Sequence, residues 1–241
     1  MKSEQAAFIL PKSQIWKVFD DISTRYDLLN RLLSFGFDIG WRKKIKEFLP
    51  PKNQLKILDL AAGTADVLIN LCAGNPNIQE AFGIDLAEKM LEIGKKKIQK
   101  KGLTSKIHLQ PGDCHQIPFA ENTFDCTTIA FGIRNMENPS QVLKEMFRVL
   151  KKDGRALILE FSLPQNIFLR NIYLFYLRNA VPVVGGLLSG HFKAYRYLNQ
   201  TVEDFPYGQA FCRLIKDEGF QNVRGHSLMA GVAAIYCGEK I

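Results

Sequence analysis

The chain has 241 residues, of which 46% are hydrophobic, enough to bury the core of one large α/β domain. Its 32 basic and 24 acidic residues leave a net charge of +8, which favours an anionic partner such as a membrane surface, nucleic acid or a phosphorylated ligand. The five cysteines are scattered without a C-x-x-C pair, so neither a disulfide framework nor a zinc site is predicted. No metal-ligand spacing is visible, and a reducing cytoplasm is the expected location.

The amino-terminal segment and the apolar region after residue 165 carry no signal for export or membrane insertion. The first segment, MKSEQAAFIL, lacks a long apolar core followed by a small-residue cleavage site. The longest uncharged stretch after residue 165 runs from Asn179 to Phe192, shorter than the roughly 20 residues that cross a bilayer. We therefore expect a protein that is neither exported nor membrane-spanning.

From Leu55 onward, short β-branched runs alternate with helical patterns, as in consecutive βαβ units of a parallel sheet. Apolar residues recur at helical spacing between 138 and 151, which predicts a helix with one face on the sheet. Strands are predicted at 56–60, 81–85, 106–110, 124–131 and, after a turn at Asp153-Gly154, 155–161. The single domain then divides into a helical N-terminal arm (1–48), a core (49–162), an aromatic and basic cover (163–205), and a C-terminal helix with strands (206–241).

The segment ILDLAAGTAD (57–66) is typical of a strand, a small-residue loop and a helix that together bind a ligand. Gly63 lies where the backbone must come close to that ligand, but NAD sites use the same arrangement. Asp59 separates the two cofactors, because its carboxylate would repel a pyrophosphate and attract the ammonium and sulfonium groups of S-adenosylmethionine. An acid that only caps the following turn is the structural alternative.

Two further acids follow strand ends. Asp85 ends the second predicted strand, where its carboxylate can accept hydrogen bonds from both ribose hydroxyls of an adenosyl ligand. Capping the helix that begins near Ala87 is the alternative role for Asp85. Asp113 follows the third strand, where it can accept a bond from the adenine amino group. Together with Asp59, these acids predict an S-adenosylmethionine site at one edge of the sheet.

Six strings in collinear order carry a family resemblance: YDLLNRLLSFGFDIGWRK (26–43), DLAAGTAD (59–66), IPFAENTFDCTTIAFGIRN (117–135), RVLKKDGRALILEFS (148–162), YRYL (195–198) and GFQNVRGHSLMAGVAAIYCGEK (219–240). They resemble class I S-adenosylmethionine methyltransferases, and more closely the ubiquinone/menaquinone C-methylase family. The resemblance implies a Rossmann-like α/β fold with a mostly parallel seven-stranded sheet flanked by helices. The arm and the cover, which is inserted after the fifth strand, are expected to be helical.

Matching positions also imply a set of cofactor contacts, which are Gly63, Thr64, Asp85, Asp113 and Cys114. Met90 can lie against the adenine, although a core position also explains it. Ala61 and Ala65 stand where many methyltransferases have glycine, so we expect neither position to need a positive φ.

The loop after the fourth strand is expected to face the transferring methyl group, since ligands lie beyond the carboxyl ends of the strands. In this loop Arg134 can hold a phenolate oxygen or order a water, and the Asn135 amide can bond a second ring oxygen. Pairing of Arg134 with a nearby surface acid is the alternative. Tyr26, Asp27 and a water held by Arg134 are the candidates for the base.

The resemblance implies C-methylation of a polyprenyl quinol ring, namely conversion of demethylmenaquinol to menaquinol, with the 2-polyprenyl-6-methoxy-1,4-benzoquinol step of ubiquinone synthesis as an additional reaction. The cover interleaves aromatic residues with Arg170, Arg178, Lys193 and Arg196. We expect it to contact the polyprenyl tail and anionic lipid peripherally, at the inner face of the membrane. Helix packing or a homodimer face explains the same pattern.

Three other functions compete with this interpretation. A class I methyltransferase for RNA or for a soluble small molecule would share the cofactor half, and basic charge suits RNA. We expect no nucleic-acid partner, because no separate basic module is evident and the cover is strongly apolar. A non-catalytic adenosyl-binding protein is the second competitor, and an NAD oxidoreductase, which Asp59 disfavours, is the third.

Overall fold

This computed structural model describes residues 12–189 and 192–241. The strands are β1 (Leu55–Leu60), β2 (Ile78–Asp85), β3 (Ile107–Pro111), β4 (Phe124–Ala130), β5 (Leu150–Phe161), β6 (Gln221–Leu228) and β7 (Ala233–Lys240). The longer helices are α1 (Ile15–Leu33), α2 (Phe37–Lys44), α3 (Asp66–Cys72), α4 (Glu88–Lys100), α5 (Pro139–Val149), α6 (Ile167–Phe175), α7 (Val181–Ser189), α8 (Phe192–Asp204) and α9 (Gln209–Asp217). A π-helical turn, Tyr176–Ala180, joins α6 to α7.

The seven strands form one sheet in the order β3-β2-β1-β4-β5-β7-β6. Strands β1 to β5 pair in parallel, and β7 runs antiparallel to both β5 and β6. This confirms the expected mostly parallel seven-stranded sheet. The strand order reverses between β1 and β4, so a crevice for ligands is expected beyond the carboxyl ends of these two strands.

Both faces of the sheet are buried, which explains why its inner strands are almost continuously apolar. Successive side chains of β1 point to opposite faces. Leu58 and Leu60 pack in a cluster with Met146 of α5 and Phe211 of α9. Ile57 packs in a second cluster, which contains residues of α3. The loops at the strand ends therefore rest on a rigid core.

The largest difference from a predicted strand boundary is at the start of the fifth strand. The sequence predicts a turn at Asp153-Gly154 before the fifth strand, but β5 already begins at Leu150. Asp153 has a φ of 62°, and the pairing of β5 with β4 shifts register between Phe124 and Cys126. The turn residues therefore form a bulge inside a longer strand, because backbone pairing resumes on both sides of them.

Helices of the N-terminal arm and of the cover pack against each other at the carboxyl edge of the sheet. Leu29 of α1 joins Leu177, Val181 and Val202 of the cover in a third apolar cluster. The Tyr176 hydroxyl donates a hydrogen bond of 2.7 Å to the carbonyl of Leu33. Within 12–189 and 192–241, no helix is long and apolar enough to cross a bilayer.

Candidate active site

The loop between β1 and α3 turns through three left-handed residues, Ala61 (φ 49°), Gly63 (52°) and Ala65 (64°). The expectation that both alanines avoid a positive φ was therefore wrong. Backbone hydrogen bonds hold the loop in place, since the Ala62 N–H donates to Ile84 (3.0 Å) and the Ala65 N–H donates to Ala62 (2.8 Å). Each such alanine costs about 1–2 kcal/mol, a strain that surrounding structure usually supports near functional sites.

Asp85 organises the neighbouring loops from the end of β2. Its Oδ2 accepts a hydrogen bond of 2.8 Å from the Gly63 N–H, and its Oδ1 accepts one of 2.8 Å from the Ala87 N–H. Burial raises the pKa of this carboxyl group, and the backbone donors partly oppose that rise. Asp85 thus caps the segment before α4 as well as lining a cavity, and each oxygen retains a lone pair for a ligand hydroxyl.

A cavity of about 180 Å³ lies over this loop. Its lining includes Gly63, Asp85, Met90, Asp113 and Cys114, all expected at the cofactor, and also Lys12, His115 and Glu137. A methyl group at Gly63 would come within 3.2 Å of the Met90 side chain, so the loop needs glycine for close packing as well as for its φ. Three acids against one lysine suit a cationic ligand such as S-adenosylmethionine better than a pyrophosphate.

A second cavity of about 510 Å³ lies between the arm, the cover and the sheet. Apolar and aromatic side chains dominate its lining, among them Leu29, Trp41, Phe161, Leu177 and Val202. Its charged lining residues are all paired, Asp38 with Arg42 and Arg134 with the buried Glu160, which does not itself line the cavity. The volume is within the roughly 300–1,000 Å³ typical of small-molecule sites. We call the two spaces the cofactor cavity and the acceptor cavity.

The two cavities share five lining residues, which are Ile15, Phe19, Tyr26, Phe131 and Asn135. Phe131 has a φ of 58°, which is unusual for a bulky residue. Its N–H donates to Leu159 (2.8 Å), its ring lies 4.6 Å from that of Phe161, and the Arg42 guanidinium lies 5.2 Å from its ring centroid. The strained Phe131 is therefore held firmly in the wall that the two cavities share.

A family model described as the ubiE/COQ5 methyltransferase family matches residues 9–240. The chain belongs to this family. It is 44% identical over 227 residues to a ubiquinone/menaquinone biosynthesis C-methyltransferase UbiE of Geotalea daltonii, with 94% of this chain and 96% of that protein covered. It is also 44% identical over 232 residues to a demethylmenaquinone methyltransferase of Thermotoga maritima, with 95% and 97% covered.

Solved structures show the same fold at lower sequence identity. A SAM-dependent methyltransferase of Thermotoga maritima superposes with a TM-score of 0.65 at 18% identity, covering 94% of this chain and all of that chain. Another from Aquifex aeolicus gives 0.61 at 18% identity, covering 97% and 100%. The fold is that of class I methyltransferases. This member of the ubiE/COQ5 family is an S-adenosylmethionine-dependent C-methyltransferase.

In this methyltransferase, Asp59 and Thr64 do not line either cavity. Asp59 is buried beneath the loop and accepts a hydrogen bond of 2.5 Å from Thr128, and burial raises its pKa to about 7. The Thr64 hydroxyl donates to Asp27 (2.7 Å) and accepts from Lys97 (3.0 Å), which places it between α1 and α4. The position of a residue in the loop does not predict whether its side chain faces the cofactor cavity, because successive loop residues point to different sides.

Arg134 lines the acceptor cavity, as the sequence predicts. Its guanidinium pairs with a buried acid, Glu160, and not with the surface acid considered as the alternative. Its Nη1 donates to Glu160 and to the Phe131 carbonyl, each at 2.7 Å, and both charged residues are at most 4% exposed. Within the described residues, its Nε is buried without a hydrogen-bond partner. The protein therefore fixes the guanidinium through Nη1, and Nη2 has no described hydrogen-bond partner.

Of the candidate bases, Tyr26 and Asp27 have different surroundings. Tyr26 lies at the junction of the cavities, and burial raises its pKa, although Arg42 and Arg134 oppose that rise. Tyr26 is thus protonated at neutral pH and serves better as a donor than as a base. Asp27 lies outside both linings and pairs with Lys97 at 2.9 Å.

Several polar residues in or beside the acceptor cavity were missed, and four of them bear on its chemistry. Asp38 and Arg42 lie within the string 26–43, and their spacing of four residues on α2 signalled a pair. Glu160 lies near the end of β5, the same strand-end position that drew attention to Asp59. Tyr197 lines the cavity with a hydroxyl that is buried and unpartnered among the described groups. No local sequence signal distinguishes Tyr197 from its aromatic neighbours.

Proposed function

We propose that this enzyme methylates a ring carbon of a polyprenyl quinol and converts demethylmenaquinol to menaquinol. The observation that carries the proposal is an apolar cavity of about 510 Å³ that meets the cofactor cavity at a shared wall. A hydrophobic ring and the first part of a prenyl tail suit such a lining. Relatives named for menaquinone and ubiquinone synthesis cover nearly the whole chain, so the related benzoquinol is a second substrate to test.

When bound, S-adenosylmethionine supplies an electrophilic methyl group on its sulfonium sulfur. The enzyme's own part is to hold the ring carbon in line with that group and to exclude water. A quinol carbon becomes nucleophilic as the neighbouring hydroxyl loses its proton. We assign the guanidinium of Arg134 to the oxygen of that hydroxyl, directly or through a water, because Arg134 lines the acceptor cavity and its described side-chain hydrogen bonds all leave from Nη1.

Asn135 and Tyr26 complete this arrangement at the junction of the cavities. The Asn135 amide can bond a second ring oxygen, and the protonated Tyr26 can donate to an oxygen near the transferred methyl group. Glu160 keeps the guanidinium of Arg134 in one orientation through its 2.7 Å contact. In this proposal Glu160 positions the arginine, and the water held by Arg134 takes up the hydroxyl proton. After methyl transfer the same ring carbon loses its hydrogen as a proton, which returns to the oxygen as the ring becomes aromatic again.

The lining of the acceptor cavity disfavours RNA and soluble polar acceptors. Its two ion pairs are satisfied within the protein, so they offer few open partners to a charged or strongly polar ligand. Because a polyprenyl quinol resides in lipid, we also propose that the enzyme works peripherally at the inner face of the membrane.

The decisive experiment measures transfer of a labelled methyl group from S-adenosylmethionine to demethylmenaquinol, to the demethylated benzoquinol and to transfer RNA. We expect product with demethylmenaquinol and none with RNA. Methylation of RNA, or no turnover on either quinol by a protein that binds the cofactor, would contradict the proposal. The ratio of turnover on the two quinols identifies the preferred ring.

A further inference from the structure

The mouth of the acceptor cavity is apolar on its outer side as well as on its inner side. Four residues line the cavity and are at the same time exposed to solvent, with fractional exposures between 41% and 73%. They are Phe35, Leu169, Ile172 and Met229. Exposing these four apolar side chains to water is unfavourable, so a rim of this kind is not expected on a cavity that opens only to water.

Two stripes of exposed apolar residues flank this mouth. On α1 and the turn after it, the stripe consists of Leu28, Leu32 and Phe35. On α6 it consists of Phe168, Ile172 and Phe175. In α6 the spacing of four and then three residues places the side chains on one face of the helix.

The two stripes belong to one surface. The rings of Phe35 and Tyr176 lie 5.6 Å apart, and the Tyr176 hydroxyl is bonded to the carbonyl of Leu33. The π-helical turn that holds Tyr176 directly follows α6, so the end of α1 and the end of α6 are fixed side by side. A contiguous exposed apolar surface of this kind usually marks an interaction site.

Two of the basic residues expected to contact anionic lipid, Arg170 and Arg178, have partners within the protein, although the Arg178 side chain is 58% exposed. The Nε of Arg170 donates to the Pro164 carbonyl at 2.9 Å. Arg178 makes two hydrogen bonds to Glu203, at 2.9 and 2.5 Å. The side chains of Lys193 and Arg196 lie outside the described part of the chain. The exposed apolar stripes therefore support apolar contact more directly than these two arginines support charge attraction.

We propose that these two stripes insert into the acyl layer of a lipid bilayer, and that the mouth between them admits a prenyl tail laterally from the lipid. The route of the tail rests on the proposed function, whereas insertion of the stripes can be tested without any substrate. A second copy of the chain is a poorer occupant, because it would cover the mouth through which the tail has to pass.

Sedimentation of the full chain with phosphatidylcholine vesicles tests the insertion. We expect the wild-type protein to bind these uncharged vesicles equally at low and at high salt, since apolar insertion is not screened. The double variant Phe168→Ser/Phe175→Ser should bind roughly tenfold more weakly, because it loses two aromatic anchors. Leu28→Ser/Leu32→Ser, on the other stripe, should weaken binding in the same way. Ile241→Ser, which changes an exposed residue of the carboxyl terminus, is the matched control and should bind normally.

Activity distinguishes failure of this inference from failure of the proposed function. Phe168 and Phe175 do not line either cavity, so their double variant should keep wild-type turnover on a short-tailed quinol in detergent. It should lose turnover on a long-tailed quinol embedded in vesicles. If the wild type binds vesicles but methylates neither quinol, the proposed function fails and the docking surface remains.

Three results would overturn the inference. The first is wild-type protein that does not bind neutral vesicles, and the second is binding that disappears at high salt. The third is a stable dimer in ultracentrifugation that both double variants dissociate, which would assign the surface to a second copy. Unchanged circular dichroism and melting temperature of the variants would exclude misfolding as the cause of weaker binding.

Discussion

The cofactor cavity and the acceptor cavity differ in the origin of their walls. Most of the cofactor cavity comes from loops that follow strands of one sheet, and Asp85 ties two of these loops together through backbone hydrogen bonds. The acceptor cavity comes mainly from helices of the arm and the cover, packed around Leu29 and Leu177. The sheet therefore specifies the methyl donor, whereas the helices added to it specify the acceptor.

The two cavities also differ in the charge of the residues around them. The cofactor cavity has an excess of acids, and the buried Asp59 beneath it has a pKa of about 7. At the acceptor cavity, Asp38 pairs with Arg42 and Arg134 pairs with the buried Glu160, so the walls are close to neutral. The first arrangement suits a cation and the second suits a neutral apolar molecule. The following predictions test this separation, from the largest effect to the smallest.

The largest effect is expected from Arg134→Ala. Turnover on the quinol should fall roughly a hundredfold with saturating cofactor, because one well-placed donor to a developing oxyanion contributes about 3 kcal/mol. Cofactor affinity should stay nearly unchanged, since Arg134 lines only the acceptor cavity. Steady-state kinetics together with a calorimetric cofactor titration measure both quantities. Parallel loss of cofactor binding would show that the two cavities are not separate in function.

The Arg134→Ala variant needs a control for the effect of leaving Glu160 without its partner. Removing Arg134 alone leaves a buried carboxylate unpaired, which typically costs about 3–5 kcal/mol of stability. The double variant Arg134→Ala/Glu160→Gln should recover most of the melting temperature but not the turnover. Arg134→Lys should restore activity only in part, since lysine lacks the planar fork that contacts Glu160 and Phe131. Recovery of turnover in the double variant would reduce Arg134 to a structural role.

Asp85→Ala should weaken S-adenosylmethionine binding about tenfold or more, because charge-assisted hydrogen bonds contribute roughly 1.5–3 kcal/mol. The loop should also loosen, since the Gly63 N–H and the Ala87 N–H lose their acceptor. The dissociation constant is measured by calorimetry, with circular dichroism as a check on folding. An unchanged constant in a folded variant would remove Asp85 from the cofactor site.

The affinity for S-adenosylmethionine should fall as the pH decreases below about 7. Burial raises the pKa of Asp59 to about 7, so its carboxyl is largely protonated below that pH, while the cationic ligand favours its ionised form. One linked proton corresponds to at most about tenfold per pH unit. Titrations from neutral to mildly acid pH measure the slope. Asp59→Asn should flatten it, and an equal slope in that variant would assign the proton to another group.

The smallest effect concerns the strained loop of the cofactor cavity. Ala61→Gly should stabilise the protein by up to about 1 kcal/mol, since relief of a left-handed alanine outweighs the added freedom of the unfolded chain. Ala62→Gly is the matched control next to it. Ala62 is buried without a positive φ, so its replacement should destabilise by about 1 kcal/mol. Urea unfolding measures both, and equal effects would argue against strain at Ala61.

Strand positions and the acids that follow them could be predicted from the sequence, because both depend on neighbouring residues. A strand buried on both faces has to be apolar, so its end is visible in the sequence. Ligands bind beyond the carboxyl ends of such strands, which is why Gly63, Asp85 and Asp113 could be predicted at the cofactor cavity. The family resemblance added Cys114 at that cavity, and Tyr26, a candidate base, lies at the junction.

Only the tertiary structure decided which side chains face inward and which are paired. Thr64 faces Asp27, and Asp59 lies beneath the loop, because successive residues of a turn point in different directions. Arg134 meets Glu160 across 26 positions of the chain. The acceptor cavity arises where the arm packs against the cover, and a contact between such distant segments leaves no pattern in either one. Local spacing predicts secondary structure and strand-end sites, whereas long-range packing fixes the partners of each charge.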